Sequence, residues 1–291
     1  MKRPRARAGW QMALVVFAAI LVGCQTSSES AAPDISPSPP EVAQPGPMTD
    51  AISGFLVIAD FGGGEAQQRV ADAMLAWKKA GYRVDAILTA GDNVYNRGEP
   101  SKYEAQLDRP YSPLGAPMYI AIGNHDEPNK TAMLQHMKMP PPPSKMPLGE
   151  TEVFFLDSNK VDGAQAQWLA SALDSKSKTK IVIYHHPAYS CGKHGDTKKV
   201  IEKWVPVIEA GDVDIVFSGH DHNYQRFHRD SVHWIVTGGG GRDITPLKAN
   251  CGAARAATMH QFISVETRKD GSWRMRAVDI KGNIIDEVVG Q

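Results

Sequence analysis

Apolar positions along the chain form two kinds of pattern. Five short continuous apolar runs each end in Asp, Asn or His: "GFLVIAD" at Asp60, "VDAILTAGD" at Asp92, "PMYIAIGNHD" at Asn124-His125-Asp126, "KIVIYHH" at His185-His186 and "VDIVFSGHDH" at His220-Asp221-His222. Between them lie segments of helical period, with Ala66, Val70, Ala73, Met74 and Trp77 on one face and Val200, Ile201, Trp204, Val205 and Ile208 on another. "GAQAQWLASALDS" is helical in the same sense. Unbroken apolar runs joined by amphipathic helices predict parallel or mixed strands covered on both faces. Functional groups of such sheets gather at the carboxyl ends of the strands. Five polar endings on one edge are therefore expected to converge.

The C-terminal part alternates in shorter steps. "HWIVTGGGG", "HQFISVETR", "SWRMRAVDI" and "NIIDEVV" read as strands separated by turns. They are expected to form a second sheet packed on the first. The predicted fold class is α/β: a layered α/β/β/α sandwich of two mixed sheets flanked by helices, with the site at the strands' carboxyl ends. The long segment "EPNKTAMLQHMKMPPPPSKMPLG" reads as a proline-rich loop beside the pocket.

The first fifty residues belong to neither pattern. Lys2, Arg3, Arg5 and Arg7 precede the apolar run Met12 to Gly23, too short for a comfortable membrane span. Leu21-Val22-Gly23-Cys24 resembles a bacterial lipobox, which implies cleavage before Cys24 and its lipidation. Gln25 after the cysteine, by resemblance to sorting signals of enteric-type bacteria, implies the outer membrane, with the protein facing the periplasm. Residues 24–50 are rich in Ser, Pro and Ala and read as an extended linker, leaving 51–291 as the folded domain. Export also puts Cys191 and Cys251 in an oxidising compartment, where a disulfide between them is expected.

The whole chain has 32 basic and 32 acidic residues. Without the four leader cations, 28 remain against 32 acids, a net charge of −4. That balance gives no footprint for nucleic acid. G-x-S-x-G, a Walker loop, H-E-x-x-H and C-x-x-C are all missing, and Asp243 breaks a dinucleotide fingerprint in the glycine run. Serine hydrolase, P-loop, zincin and thioredoxin chemistry are thereby disfavoured.

The strand endings supply Asp60, Asp92, Tyr95, Asn124, His185, His220 and His222. These are too many ligands for one tetrahedral zinc and suit two ions sharing a bridging carboxylate. Oxygen and nitrogen donors without thiolate point to iron, manganese or zinc. A pair of ions so held serves phosphoryl hydrolysis best.

Asp60-Phe61-Gly62, Gly91-Asp92-Asn93-Val94-Tyr95, Gly123-Asn124-His125-Asp126, Val182-Ile183-Tyr184-His185 and Gly219-His220-Asp221-His222 resemble, in order, the five blocks of the calcineurin-like metallophosphoesterases. Tyr95, and Gly62 in place of a histidine, resemble the purple acid phosphatases; the size and the "GHDHN" and "KHG" wording resemble the small tartrate-resistant type. The resemblance implies Asp60, Tyr95 and His222 at a ferric ion, Asp92 as bridge, and Asn124, His185 and His220 at a divalent iron, zinc or manganese. It implies attack on a phosphate monoester by a metal-held hydroxide. His125 would contact the phosphate, and His194 would donate a proton or bind phosphate near the leaving group. Asp126 completes the catalytic set by orienting His125 or a ligand rather than binding metal.

His186 and Asp221, one step from ligands, are expected to face away. His260 is expected to be a supporting or core histidine, and His136, His228 and His233 to have no role. Two other readings stand beside the phosphatase: a phosphodiesterase of the same superfamily, and a catalytically silent phosphate-binding protein of the envelope.

Overall fold

The computed structural model describes residues 45–291; the leader 1–23, Cys24 and the linker up to residue 44 lie outside the described residues. Strands β1 (Ser53–Ile58), β2 (Ala86–Thr89) and β3 (Met118–Ile120) come first, followed by β4 (Ser144–Leu148), β5 (Thr151–Phe155), β6 (Thr179–Ile183) and β7 (Ile215–Ser218). The rest are β8 (Tyr224–Arg229), β9 (Val232–Thr237), β10 (Arg255–Ala257), β11 (Gln261–Thr267), β12 (Trp273–Asp279) and β13 (Ile284–Gly290). The main helices are α1 (Glu65–Lys79), α2 (Lys130–His136), α3 (Gly163–Ala172), α4 (Lys198–Lys203) and α5 (Val205–Ala210).

The strands make two mixed sheets, in the orders β13-β12-β11-β1-β2-β3 and β10-β8-β9-β7-β6-β5-β4. The layered sandwich expected from the sequence is what forms, but its strands are dealt differently. The five motif runs do not share one sheet. β1, β2 and β3 lie parallel in the first, and β6 and β7 lie parallel in the second. The C-terminal strands do not build a separate layer: β11, β12 and β13 extend the first sheet antiparallel from β1, while β9 joins β7 in the second.

Side-chain alternation explains why the motif runs are apolar at every position. Phe55 and Val57 of β1 meet Ile181, Ile183, Ile215 and Phe217 of β6 and β7 in the core between the sheets. Leu56 and Ile58 point the other way, onto Val70, Met74 and Trp77 of α1. Val182 and Val216 likewise face Leu169, Trp204 and Ile208 on the outer face of the second sheet.

The segment read as a proline-rich loop contains α2 and the edge strand β4, paired antiparallel with β5 through Ser144–Leu148. Pro147 is tolerated there because an edge strand need not donate from every residue. Cys191 and Cys251 are joined by a disulfide across 60 residues.

Residues 45–50, at the end of the stretch read as linker, are packed on the first sheet. Tyr82 donates its hydroxyl to Pro45 O at 3.1 Å, and Arg276 Nη2 donates to Gly46 O at 2.8 Å. Met48 N donates to Glu266 Oε1 at 3.2 Å. The Arg276 guanidinium also pairs with Glu266 at 2.8 Å and Glu287 at 2.7 Å. Arg276 and Glu266 are each 1% exposed, so removing one strands the other's charge in the interior. We expect Arg276→Met to lower stability in urea unfolding by about 3–5 kcal/mol, and Arg276→Met/Glu266→Met to recover much of that loss. A neutral single variant would show that the pair does not hold this edge.

Candidate metal centre

The site sits where the carboxyl ends of both sheets meet. Its oxygen donors leave the first sheet: Asp60 after β1, Asp92 and Tyr95 after β2, Asn124 after β3. Its imidazoles leave the second: His185 after β6, His220 and His222 after β7. Hydrogen bonds stitch this seam. Gly240 N, beyond β9, donates to Ala59 O at 3.0 Å, and His185 Nδ1 lies 2.9 Å from Ala90 O. His220 N donates to Asp60 Oδ2 at 2.9 Å.

At its centre the Tyr95 hydroxyl reaches both carboxylates, 2.9 Å from Asp92 Oδ2 and 3.2 Å from Asp60 Oδ1. His222 Nε2 lies 3.6 Å from Asp60 Oδ1 on one side. On the other, His185 Nε2 lies 3.4 Å from Asp92 Oδ2 and 3.2 Å from Asn124 Oδ1. The His220 ring is 5.1 Å from that of His185. All seven sequence-predicted ligands therefore come together, with Asp92 between the two halves.

The backbone bends sharply to do this. Asp60, Asp92 and His220 all take left-handed φ, of 56°, 52° and 71°. Such conformations cost energy in non-glycine residues and cluster at functional sites. Two glycines make room. A Cβ on Gly219 would stand 2.3 Å from Asp60 Oδ2, and one on Gly62 would stand 1.7 Å from the Tyr95 ring. A side chain at 62 and a tyrosine at 95 in this position are mutually exclusive.

The electrostatics call for a cation. Asp60 and Asp92 are buried. Burial pushes the Asp60 carboxyl well above the usual range, and Asp92 beside it adds to this against the pull of His185. Burial also opposes ionisation of Asp92, but the charge and hydrogen bond of His185 outweigh it and hold that carboxyl low. Burial resists protonation of His185 too, yet Asp92 lifts it to about 10. Burial, then Asp60 and Asp92, push the Tyr95 phenol far above its ordinary value. A dication would supply the positive charge these groups share too thinly. The donor chemistry fits one. One nitrogen of His185 and one oxygen each of Asp60 and Asp92 lie within 4.8 Å of one another, as do nitrogens of His185, His186 and His220. Both domain cysteines are in the disulfide, so the donors are oxygen and nitrogen only.

Around this centre His125 Nδ1 lies 2.6 Å from Asn96 O, with its ring 4.3 Å from that of Tyr95. His194 is exposed, its ring 4.0 Å from that of His220. Asp126 holds backbone on two loops. Its buried carboxylate accepts from Asn93 N, Asn93 Nδ2, Val94 N and Gly123 N at 2.8–3.2 Å, so it clamps the loops after β2 and β3. Burial, with Asp92, raises it to about 7. Asp221 faces away as expected, accepting from Ser190 Oγ and from His194 N. His260 is half-buried against Gly239 O. His136 pairs with Asp108, and His228 stacks on His233, all outside the site.

His186 overturns its expectation: its ring lies 4.5 Å from that of His220, inside the site. β6 ends at Ile183, and the chain then bends, so the two-residue alternation of a strand no longer governs where residue 186 points. Arg242 was also missed. Its guanidinium lies 4.5 Å from the centroid of the Tyr95 ring, and nothing in the glycine run before it signals that position.

Residues 54–224 match the calcineurin-like phosphoesterase family. Over 256 residues the chain is 27% identical to purple acid phosphatase 17 of Arabidopsis thaliana, spanning 69% of this chain and 73% of that one. It is 24% identical over 239 residues to tartrate-resistant acid phosphatase type 5 of Rattus norvegicus, spanning 66% and 73%. The solved purple acid phosphatase PPD1 from yellow lupin (Lupinus luteus) seeds has the same fold, with a TM-score of 0.71 at 15% identity over 84% of this chain and 55% of that one. The chain belongs to the calcineurin-like phosphoesterase family and is a phosphoric-ester hydrolase resembling the purple acid phosphatases.

Proposed function

We propose that the protein hydrolyses phosphate monoesters at a binuclear centre of one ferric and one divalent ion, the latter iron, zinc or manganese. The observation that carries this is the Tyr95 hydroxyl shared by Asp60 and Asp92, with His222 on one side and His185 and Asn124 on the other. Asp60, Tyr95 and His222 would hold the first ion and Asn124, His185 and His220 the second, with Asp92 between them. Bound ions would activate water and stabilise charge on the phosphoryl group. His185 and His222 turn Nδ1 to the carbonyls of Ala90 and Asp243 at 2.9 Å, which leaves each Nε2 for a cation. His125, fixed by Asn96 O and tilted against Tyr95, would stand beside the phosphoryl group. His194, exposed beside His220, would give a proton to the departing alkoxide.

The expected result for the purified full chain is a violet absorption band, about one iron and one further metal per chain, and turnover of a chromogenic phosphate monoester faster than of its diester. Asp92→Ala should lose more than a hundredfold in turnover, beyond what groups that merely orient ligands contribute. Colourless, active protein with two zinc or manganese ions would remove the ferric role of Tyr95. Fewer than two metals and no turnover after reconstitution would defeat the enzyme and favour a silent phosphate-binding protein. A diester preference would favour the phosphodiesterase.

Gly62→Ala tests the tyrosine independently. Its Cβ needs the space of the Tyr95 ring, so the variant should lose the visible band and bound iron while keeping its fold by circular dichroism. An unchanged band would show that Tyr95 is not the chromophore.

We also propose that the protein is exported and held by lipid at Cys24, on the outer membrane facing the periplasm. The basic leader, the apolar run and Leu21-Val22-Gly23-Cys24 support this. No helix among the described residues is long and apolar enough to cross a membrane. Cys24→Ser should move the protein from the membrane fraction and abolish labelling by a fatty acid; retention of both would reject the anchor.

A further inference from the structure

We propose that His186 is a substrate-positioning hydrogen-bond donor, its Nε2–H directed at a phosphoryl or leaving-group oxygen, and not a third imidazole ligand. This rests on the phosphoesterase reading of the site. By distance alone His186 qualifies as a ligand, since one of its nitrogens lies within 4.8 Å of nitrogens of His185 and His220. Its hydrogen bonds assign it otherwise.

Ser158, in the loop after β5, accepts at Oγ from His185 N at 3.2 Å and from His186 N at 2.9 Å. A hydroxyl has two acceptor lone pairs and one proton. With both lone pairs taken by backbone N–H groups, the proton is left for the remaining neighbour, His186 Nδ1 at 2.8 Å. Nδ1 is then an acceptor, and the neutral ring carries its own proton on Nε2. A protonated Nε2 has no lone pair for a cation.

The contrast with His185 and His222 is chemical. Their Nδ1 atoms face carbonyl oxygens, which only accept, so Nδ1 carries the proton and Nε2 is open to metal. One residue's difference in partner, a hydroxyl instead of a carbonyl, turns an imidazole from ligand to donor. Nε2 of His186 makes no hydrogen bond to any described residue. The half-buried ring stands 4.5 Å from that of His220, which has His194 at 4.0 Å, so the two flanking histidines share the divalent side of the centre. An anionic phosphoryl oxygen is the acceptor that this place offers.

The test uses the metal-loaded full chain and two readouts, metal content and affinity for inorganic orthophosphate. His186→Phe keeps a ring and removes both nitrogens. It should retain two ions per chain and bind orthophosphate about ten- to a hundredfold more weakly, the loss of one hydrogen bond to a charged group. His186→Gln, whose amide nitrogen takes the place of Nε2, should stay near the unmodified protein, whereas His186→Asn, with its amide where Nδ1 sits, should not. Loss of one ion in His186→Phe would make His186 a ligand and overturn the proposal. Orthophosphate affinity equal to the unmodified chain would reduce it to packing. Should the phenylalanine variant fail to fold, the glutamine and asparagine pair gives the same decision. Orthophosphate binding needs no turnover, so a chain that binds phosphate but hydrolyses no ester would defeat the phosphoesterase reading and still decide His186.

Discussion

The structure turns on two carboxylates, Asp60 and Asp92, buried together under one tyrosine hydroxyl. Removing an unpaired carboxylate from water costs several kcal/mol even after a protein relaxes around it. Each hydrogen bond to a charged group returns roughly 1.5–3 kcal/mol. Backbone donors are enlisted accordingly: His220 N for Asp60 and His125 N for Asp92. These do not suffice for two like charges sharing one hydroxyl, and Asp60 rises while Asp92 leans on His185. The positive φ of both aspartates adds cost. The two-sheet core must carry this local instability, and positive ions would relieve it.

The division of labour between the sheets follows from the same problem. Oxygen donors come from one sheet and imidazoles from the other. The site is thus a property of the seam, and neither sheet alone contains it. The core between Phe55, Val57, Ile181 and Phe217 fixes the distance between the strand exits, and hence the ligand geometry. Close packing makes that distance stiff, which suits a centre where small displacements change coordination.

Much of this was legible in the chain. The five apolar runs, the helices between them, the convergence of seven donor residues and the outward turn of Asp221 follow from period and position. What period cannot carry is which sheet a strand joins. A run buried on both faces looks the same in either, so pattern alone reads the C-terminal strands as a layer of their own. β4 was hidden because Pro147 and Pro140 to Pro143 read as loop, although an edge strand accepts proline. For His186, strand alternation misleads because the strand ends at Ile183 and the chain then bends. Period is silent on how Asp126 orients its surroundings; its four N–H partners form a clamp on two loops.

The two sides of the centre are built with different stiffness. On the first, Tyr95 is wedged between Gly62, His125 and Arg242, with little room for change. On the second, the segment from His186 to His194 is a loop, and loops vary more readily than strands. Here it is restrained several times over. The disulfide fixes Cys191, whose N also donates to Gln225 Oε1 at 2.6 Å. Asp221 holds both Ser190 Oγ and His194 N. The backbone is thus pinned while the His194 side chain stays exposed. Such an arrangement would keep groups at a fixed height above the centre and leave the outer surface open. Discrimination among esters would then arise from what the leaving group meets beyond His194, and the centre itself would treat the phosphoryl group alike in all of them.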